Sequence, residues 1–270
     1  MICKICDSNS KEIFRKIVLL KYDVGYHQCE QCFFIQTDEP FWLSEAYGSA
    51  ITSLDIGILV RNNYLVNQIS KLIDSCFRES NKMLDFAGGY GIFVREMRDS
   101  GYDFYRQDIY CENLFSKYFD IDDCEDKKFD LTTAFEVLEH FNMPLEEIGE
   151  IFKFSENVIF STELIPNNIS LENWVYISQE TGQHIAFYSK LTMEIIAKKF
   201  NKNYYCKNDN IHIFTNKILN NEQLNFYDNL VYFKSKYFGL KKRKYIKHRV
   251  ERESYQQRDY EKIKKILNQK

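Results

Sequence analysis

The sequence predicts an α/β protein built on a mostly parallel, doubly wound sheet, with a small cysteine-rich module before it and a helical tail after it. Three observations predict this fold class. An apolar strand pattern at residues 83–86 runs into a glycine-rich turn and a helix, strand and helix patterns then alternate, and two Cys-x-x-Cys pairs precede them. Alternation of this kind gives a parallel sheet with helices on both faces.

Size and composition limit the possible classes of protein. The chain has 270 residues, of which 44% are hydrophobic and 16% aromatic, enough for one large domain and a small appendage. A net charge of -3 argues against bulk binding of nucleic acid. No apolar run approaches the roughly 20 residues of a membrane span, and no signal-peptide region is evident. We therefore expect a cytoplasmic protein with reduced thiols.

The cysteine pairs Cys3-x-x-Cys6 and Cys29-x-x-Cys32 are separated by 22 residues, slightly more than is usual for a zinc site. Four thiolates suit Zn²⁺, and a complete shell of four sulfurs indicates a structural ion. Residues 1–40 are too few to bury a large core, so the metal is expected to supply the folding energy. Two redox pairs, or cysteines buried by chance, are the alternatives. His27 is not expected to be a ligand, because four cysteines complete the shell.

The elements of the predicted sheet follow in order. Residues 62–77 place apolar side chains on one helical face, Gly101 stops the helix that follows the glycine turn, and the last two strand patterns form a hairpin. The predicted elements are a loop or short helix at 41–50, helices at 62–77, 92–100, 145–154 and 191–200, and strands at 83–86, 103–107, 131–135, 158–162, 203–206 and 211–215. Between 109 and 128 only a short helix and a weak edge strand are expected.

These patterns divide the chain into four parts. A zinc ribbon covers residues 1–40, a linker and helix that cap the site cover 41–79, the α/β core covers 80–218, and a helical basic tail covers 219–270. Residues 240–270 contain twelve Lys or Arg and four Asp or Glu. This tail is interpreted as a solvated helix, a contact for a phosphate-bearing substrate, or an RNA contact.

The glycine-rich turn predicts a ligand site at the carboxyl edge of the sheet. Small residues at 87–89 and 91 let the backbone approach a ligand closely. Asp85 suits a cationic amino group or sulfonium and would repel a pyrophosphate. Asp108, at the end of the next strand, can accept hydrogen bonds from both hydroxyls of a ribose. A dinucleotide-binding oxidoreductase is the alternative, but its G-x-G-x-x-G spacing is not present.

The segment Asp85-Phe86-Ala87-Gly88-Gly89-Tyr90-Gly91 resembles the first motif of class I S-adenosylmethionine-dependent methyltransferases. Residues 135–140, Phe-Glu-Val-Leu-Glu-His, resemble the motif after a later strand of that family. The resemblance implies a Rossmann-like sheet of seven strands and an S-adenosylmethionine site. It implies that Gly88, Gly89 and Gly91 lie against the methionine part, Asp108 holds the ribose and Ile109 packs on adenine. The complete predicted cofactor set is Asp85, Ala87, Gly88, Gly89, Gly91, Asp108, Ile109, Phe135 and Glu136.

A four-cysteine module before such a domain is similar to sugar methyltransferases of deoxysugar and surface-polysaccharide pathways. This second resemblance implies a sugar or nucleotide-sugar substrate and cell-surface glycan biosynthesis. Those proteins often carry a further carboxyl-terminal domain that this chain is too short to hold, so we expect O-methylation over C-methylation.

Methyl transfer to a hydroxyl needs a base, and two histidines are candidates. His184 lies in a polar segment after the fifth strand, where the sugar methyltransferases have a glutamate before the histidine and this chain has Gln183. The acidic partner is then missing or is Glu180. His140 follows the third strong strand, and the same resemblance places Tyr47 near the reaction centre. For each of the three, an ordinary buried or packing residue is the alternative.

Two further functions stay open at this stage. An RNA methyltransferase would use the zinc ribbon for recognition, although the ribbon has few basic residues between its cysteine pairs. A binding protein would keep the fold and have lost catalysis. Trp174 and Tyr176 are predicted either to stack on a sugar or nucleotide or to pack in the core.

Overall fold

The computed structural model describes residues 1–48, 54–207, 210–224, 230–233, 242–245 and 252–269. Within them the strands are β1 (Ser10–Val18), β2 (Tyr22–Cys29), β3 (Ile35–Thr37), β4 (Lys82–Phe86), β5 (Asp103–Gln107), β6 (Leu131–Phe135), β7 (Val158–Ser161), β8 (Ala186–Phe187), β9 (Asn203–Lys207), β10 (Ile211–Thr215), β11 (Leu230–Phe233) and β12 (Lys242–Tyr245). The α-helices are α1 (Leu43–Ala46), α2 (Ile58–Cys76), α3 (Ile92–Asp99), α4 (Pro144–Phe152), α5 (Lys190–Lys199), α6 (Asn221–Leu224) and α7 (Gln256–Asn268).

The main sheet has the order β5-β4-β6-β7-β10-β9 among the described residues. Strands β5, β4, β6 and β7 are mutually parallel, and β10 runs antiparallel to both of its neighbours. The parallel strands are buried on both faces, because Phe160 packs with the cluster around α4 and α5 while the adjacent Ile159 packs with the cluster around α2 and α3. Because β5, β4 and β6 are adjacent and parallel, their carboxyl ends lie side by side. The predicted ligand site is at this edge of the sheet.

The expected seventh strand does not form in the described sheet. On the edge of β5 that faces away from β4, the described residues make a single parallel bridge, between Arg106 and Asp120. The segment is held there by an ion pair between the same two side chains, and Tyr118 adopts a positive φ of 70°, which a continuous strand does not tolerate. The weak edge strand predicted between residues 109 and 128 is reduced to this bridge.

The amino-terminal module is a sheet of order β1-β2-β3-β8. Its last strand comes from the core, because Ile35 and Gln36 pair with Phe187 and Ala186. The two residues of β8 are too few to give a strand pattern, so the sequence did not predict this connection. It attaches the module to the segment that carries His184.

The tail differs from the predicted helical tail. Strands β11 and β12 pair with each other, so the helical prediction is wrong for those residues. Helix α7 docks on the core through Asp259, which accepts hydrogen bonds from Arg98 at 2.7 and 2.8 Å. Part of this basic tail, including residues 234–241 and 246–251, lies outside the described residues.

No described helix is long and apolar enough to cross a membrane.

Candidate functional site

The turn after β4 is shaped by left-handed backbone. Ala87, Gly89 and Gly91 have φ values of 54°, 54° and 84°, a region that costs residues with a Cβ roughly 1–2 kcal/mol. Gly91 precedes α3, and a Cβ there would clash with Ser116 Oγ and lie 2.8 Å from Asn113 Oδ1. We call Asp85, residues 87–91 and Asp108 the glycine cradle. Its backbone can adopt this path because glycine stands at its tightest point.

Within the cradle, Asp85 packs against the turn at Gly88. Its side chain is buried, Thr133 Oγ1 donates to it at 2.6 Å, and a Cβ on Gly88 would lie 2.8 Å from its Oδ2. Burial raises the pKa of Asp85 to about 7, and the nearby charge of Asp108 adds to this. Asp85 therefore packs against the turn at Gly88. Its protonation depends on its burial and on the charge of Asp108.

Asp108 closes the other side of the cradle. Its carboxylate accepts hydrogen bonds from the backbone amides of Gly89, Tyr110 and Cys111 at 2.9, 2.7 and 2.7 Å. Beside it, Ile109 leaves 76% of its surface exposed, as an apolar wall open to a ligand would. The predicted neighbours Asp85, Gly89 and Asp108 are thus brought together.

Arg106 contacts the glycine cradle and was not predicted from the sequence. Its guanidinium is buried and donates to the carbonyl of Gly89 and the carboxylate of Asp120, each at 2.6 Å, and also to the carbonyl of Cys111. One cation thereby ties the glycine turn to the segment after β5. The sequence around an arginine in a strand does not indicate such a role, because Gly89 and Asp120 lie far from it along the chain.

Glu136 follows β6 with a positive φ of 54°. Ser161 Oγ accepts from its amide at 2.9 Å and donates to its Oε1 at 2.6 Å. Burial raises the pKa of Glu136. The preceding Phe135 packs edge-on against Phe93, with ring centroids 4.9 Å apart. Phe135 and Glu136 therefore lie at the end of β6, beside the end of β4.

A second group of side chains, which we call the histidine row, comprises Tyr47, Glu139, His140 and His184. Tyr47 Oη lies 3.0 Å from His140 Nδ1, and the rings of His140 and His184 are perpendicular, 5.0 Å apart. Tyr47 also stacks on Tyr110, at 5.6 Å. Because Tyr110 is hydrogen bonded to Asp108, this stack joins the histidine row to the glycine cradle.

The tautomer of His184 follows from its partner. Nδ1 lies 2.5 Å from the carbonyl oxygen of Tyr176, and a carbonyl can only accept, so Nδ1 carries the proton and Nε2 keeps a lone pair. Burial lowers the pKa of His184 to about 4 and that of His140 to about 3. Both imidazoles are therefore neutral near pH 7.

Neither Glu180, the possible acidic partner, nor Gln183 lies where it could assist His184 as a base. Glu180 is exposed, and no hydrogen bond among the described residues joins it to His184. Gln183 donates to the carbonyl of Ala46 at 2.9 Å and so fixes the residue before Tyr47. The carboxylate beside the histidines is that of Glu139, fully buried, with neither oxygen hydrogen bonded in the described structure. Burial raises the pKa of Glu139 well above its ordinary value.

Trp174 and Tyr176 belong to the core. Both are buried and pack with Phe187. Trp174 Nε1 donates to Glu163 at 3.3 Å, and the hydroxyl of Tyr176 is hydrogen bonded to Thr162 Oγ1 at 3.2 Å. Their rings therefore pack in the core, which is the second of the two roles predicted for them.

The four amino-terminal cysteines form one cluster. Their Sγ atoms lie within 4.8 Å of one another, with Cys3 to Cys32 at 3.6 Å and Cys6 to Cys29 at 3.4 Å. Sulfurs around a tetrahedral zinc ion, with bonds of about 2.3 Å, are about 3.8 Å apart.

Hydrogen bonds prepare these sulfurs for a cation. Backbone amides of Ile5, Gln31 and Cys32 point at Cys3 and Cys29 sulfurs at 3.4 Å. The pKa of Cys3 is lowered to about 5, chiefly by the hydrogen bond with Cys32. The donor set therefore fits a closed zinc site. His27 is bonded to Asp38 instead.

Comparisons with known proteins bear on the core. A family described as "Methyltransferase domain" matches residues 61–207. No curated protein matches the chain. Among solved structures, the chain is similar to the mitomycin 7-O-methyltransferase MmcR, with 11% identity over 64% of this chain and 59% of that chain and a TM-score of 0.42.

Two further solved structures are similar over about the same share of this chain. Magnesium protoporphyrin IX methyltransferase (ChlM) from Synechocystis PCC 6803 with bound SAH has 14% identity over 64% of this chain and 90% of that chain, with a TM-score of 0.44. TnmH has 11% identity over 65% of this chain and 61% of that chain, with a TM-score of 0.46. The match spans about three fifths of the mitomycin enzyme.

Proposed function

Because this chain belongs to the methyltransferase-domain family, whose match covers more than half of its length, we propose that it methylates a hydroxyl of a sugar or nucleotide-sugar. The match confirms the sequence prediction of an S-adenosylmethionine-dependent methyltransferase as the class of enzyme. The sugar acceptor, the O-methylation, the role in cytoplasmic glycan biosynthesis and the residue roles are our proposals.

One observation supports this proposal most. The glycine cradle and the histidine row lie at the same edge of the sheet and touch through the stack of Tyr47 on Tyr110. One group can hold a donor while the other faces an acceptor. Placing two reactants in this way can contribute roughly 7–11 kcal/mol to lowering a barrier.

The glycine cradle fits the methyl donor by its shape and charge. Glycine at 88 and 91 lets the turn pack closely against Asp85 and Ser116, Ile109 offers an apolar surface, and the carboxylates of Asp85 and Asp108 provide negative charge. S-adenosylmethionine, when bound, supplies an electrophilic methyl group on a positively charged sulfur. Asp108 would hold the ribose hydroxyls, and the backbone of Gly88 and Gly89 would lie against the methionine part.

The histidine row provides the base. His184 takes the hydroxyl proton of the acceptor on Nε2 while the acceptor oxygen forms its bond to the methyl carbon. A sulfonium donor held in the cradle would supply the methyl group and would keep the electron pair of its carbon–sulfur bond as a neutral thioether. Tyr47 and His140 orient the acceptor, since their polar atoms are bonded to each other beside His184.

The cysteine cluster is proposed as a structural zinc site. It stabilises the ribbon, and through the pairing of β3 with β8 it holds the segment that carries His184. A closed shell of four thiolates leaves no position for substrate.

The test has two stages. Calorimetry should first show that the purified chain binds S-adenosylmethionine and its demethylated product. Transfer of labelled methyl groups to a panel of nucleotide-sugars, glycans and RNA should then give product only with the sugars. The variant Glu180→Gln, an exposed change, should behave as wild type. Absence of binding, or labelling of RNA alone, would contradict the proposal.

A further inference from the structure

The most unusual feature outside the cradle is the environment of Glu139. Its side chain is completely buried, neither carboxylate oxygen has a hydrogen-bond partner of normal geometry in the described structure, and the hydroxyls of Tyr176 and Thr162 approach it more loosely. The nearby hydroxyls of Thr162 and Tyr176 are bonded to each other. A buried carboxylate of this kind requires a cation or a proton.

The imidazoles of His140 and His184 lie beside the carboxylate of Glu139. One ligand atom each from Glu139, His140 and His184 lies within 4.8 Å of the other two. Ligands around a zinc-sized ion, with bonds of about 2.0–2.2 Å, are at most about 4.4 Å apart. Small side-chain movements would therefore bring all three into contact with one ion.

The surroundings of these ligands are those of a metal site. The carbonyl of Tyr176 fixes the tautomer of His184 and leaves a lone pair on Nε2. The backbone amide of Ile185, next to His184, donates to the carbonyl of Glu139 at 2.8 Å. The carbonyl of Tyr176 is an outer partner of the type that orients metal-binding histidines. Glu139 is fully buried while both histidines are only partly buried, so an ion would have access from the histidine side.

We propose that Glu139, His140 and His184 form a second cation site, separate from the cysteine cluster, which binds a divalent transition metal such as Zn²⁺ or Co²⁺. Imidazole ligands favour these ions over Mg²⁺ or Ca²⁺. Three protein ligands leave open positions for water or an acceptor oxygen.

The site has a consequence for activity, which rests on the proposed function. The Nε2 lone pair of His184 can accept a proton or bind a cation, but not both at once. A metal ion in the histidine row therefore inhibits methyl transfer, and it leaves the binding of the methyl donor unchanged.

Titration of the full chain with Co²⁺ tests the binding. Cobalt on cysteine sulfur gives intense charge-transfer bands, whereas cobalt on nitrogen and oxygen gives only weak visible bands. We expect one equivalent of the second type in wild type and none in Glu139→Gln or His184→Gln, with the thiolate bands unchanged. The control His27→Gln, a histidine outside the row, should keep the full count.

Activity separates this inference from the proposed function. Loading the second equivalent should lower methyl transfer at least tenfold with the donor dissociation constant unchanged. A wild type that binds cobalt only through sulfur, variants that keep the full count, or activation by the ion would overturn the inference. Loss of donor binding to the metal-free protein would instead overturn the proposed function, and the cobalt count would still be measurable.

Discussion

The glycine cradle and the histidine row differ in how their charges are satisfied. In the cradle every carboxylate has partners, with Asp108 accepting three backbone amides and Asp85 bonded to Thr133. In the row Glu139 has none, and His184 keeps a free lone pair. The groups of the cradle are already in place, so binding a ligand there costs little ordering free energy. The unsatisfied groups of the row are those that can exchange a proton or bind an ion.

The two regions also depend on different parts of the fold. The cradle is built by β4, β5 and α3. The row depends on the ribbon, because β3 pairs with β8 and the hydroxyls of Ser189 and Thr192 donate to the carbonyl of Cys32 at 2.7 and 2.8 Å. Changes in the cradle should therefore alter donor binding, and changes in the row or the ribbon should alter transfer alone.

The largest effect is expected for His184→Ala. Removal of a general base typically lowers turnover about 10²–10⁴-fold, and no cradle residue is bonded to His184, so donor affinity should stay within about twofold. Labelled methyl transfer and donor calorimetry on the same preparation measure both quantities. Partial rescue by added imidazole would identify lost base chemistry. Full turnover in this variant would remove His184 from the mechanism.

Loss of the ribbon metal should have the next largest effect. Cys32→Ala removes one sulfur of the cluster and should release the zinc, since structural zinc binding is folding free energy. A shift of about 1 Å in β8 can lower turnover about 10²-fold, while the cradle keeps its donor affinity. The matched control is Cys124→Ala, which lies outside the cluster. Weakened donor binding in Cys32→Ala would show that the two regions are not independent.

Much of this comparison follows from local sequence. Strand β5 and the strands of the closing hairpin lie where predicted, and helix α2 begins one turn early, because apolar runs and glycine breaks act over a few residues. The cysteine cluster follows from spacing. The family confirms the enzyme class, and the sequence named both the cradle and three members of the row.

The remainder depends on contacts between distant residues. Arg106 binds Asp120 and the glycine turn, and Arg98 binds Asp259, 161 positions away. Neither contact has a spacing that a pattern can reveal. Glu139 is not among the predicted site residues, and only the fold shows that it is buried beside two histidines. For the acidic partner of His184 the sequence left two alternatives, none or Glu180, and the described structure places Glu180 on the exposed surface.

Gly91→Ala tests the cradle side of the comparison. The residue combines a φ of 84° with a Cβ position that overlaps Ser116, and strain of this kind costs about 1–3 kcal/mol, which corresponds to roughly a 5- to 150-fold loss of donor affinity. Gly57→Ala is the control, because its φ is not in the left-handed region and its Cβ would meet nothing within 4 Å. Transfer at saturating donor should recover in Gly91→Ala. A purely structural defect would lower it at every donor concentration.

The smallest effect concerns the proton on Asp85. Its pKa of about 7 means that part of the free protein carries this proton near neutrality, and a cationic sulfur above the cradle favours the ionised form. Donor binding should therefore release a fraction of a proton near pH 7, and donor affinity should weaken as the pH falls below about 7. Calorimetry in two buffers of different ionisation enthalpy measures this release. The demethylated product, which lacks the sulfonium charge, should release less, and Asp85→Asn should release none. Equal release by donor and product would mean that Asp85 does not sense the sulfur, and that the cradle binds through its backbone and Asp108 alone.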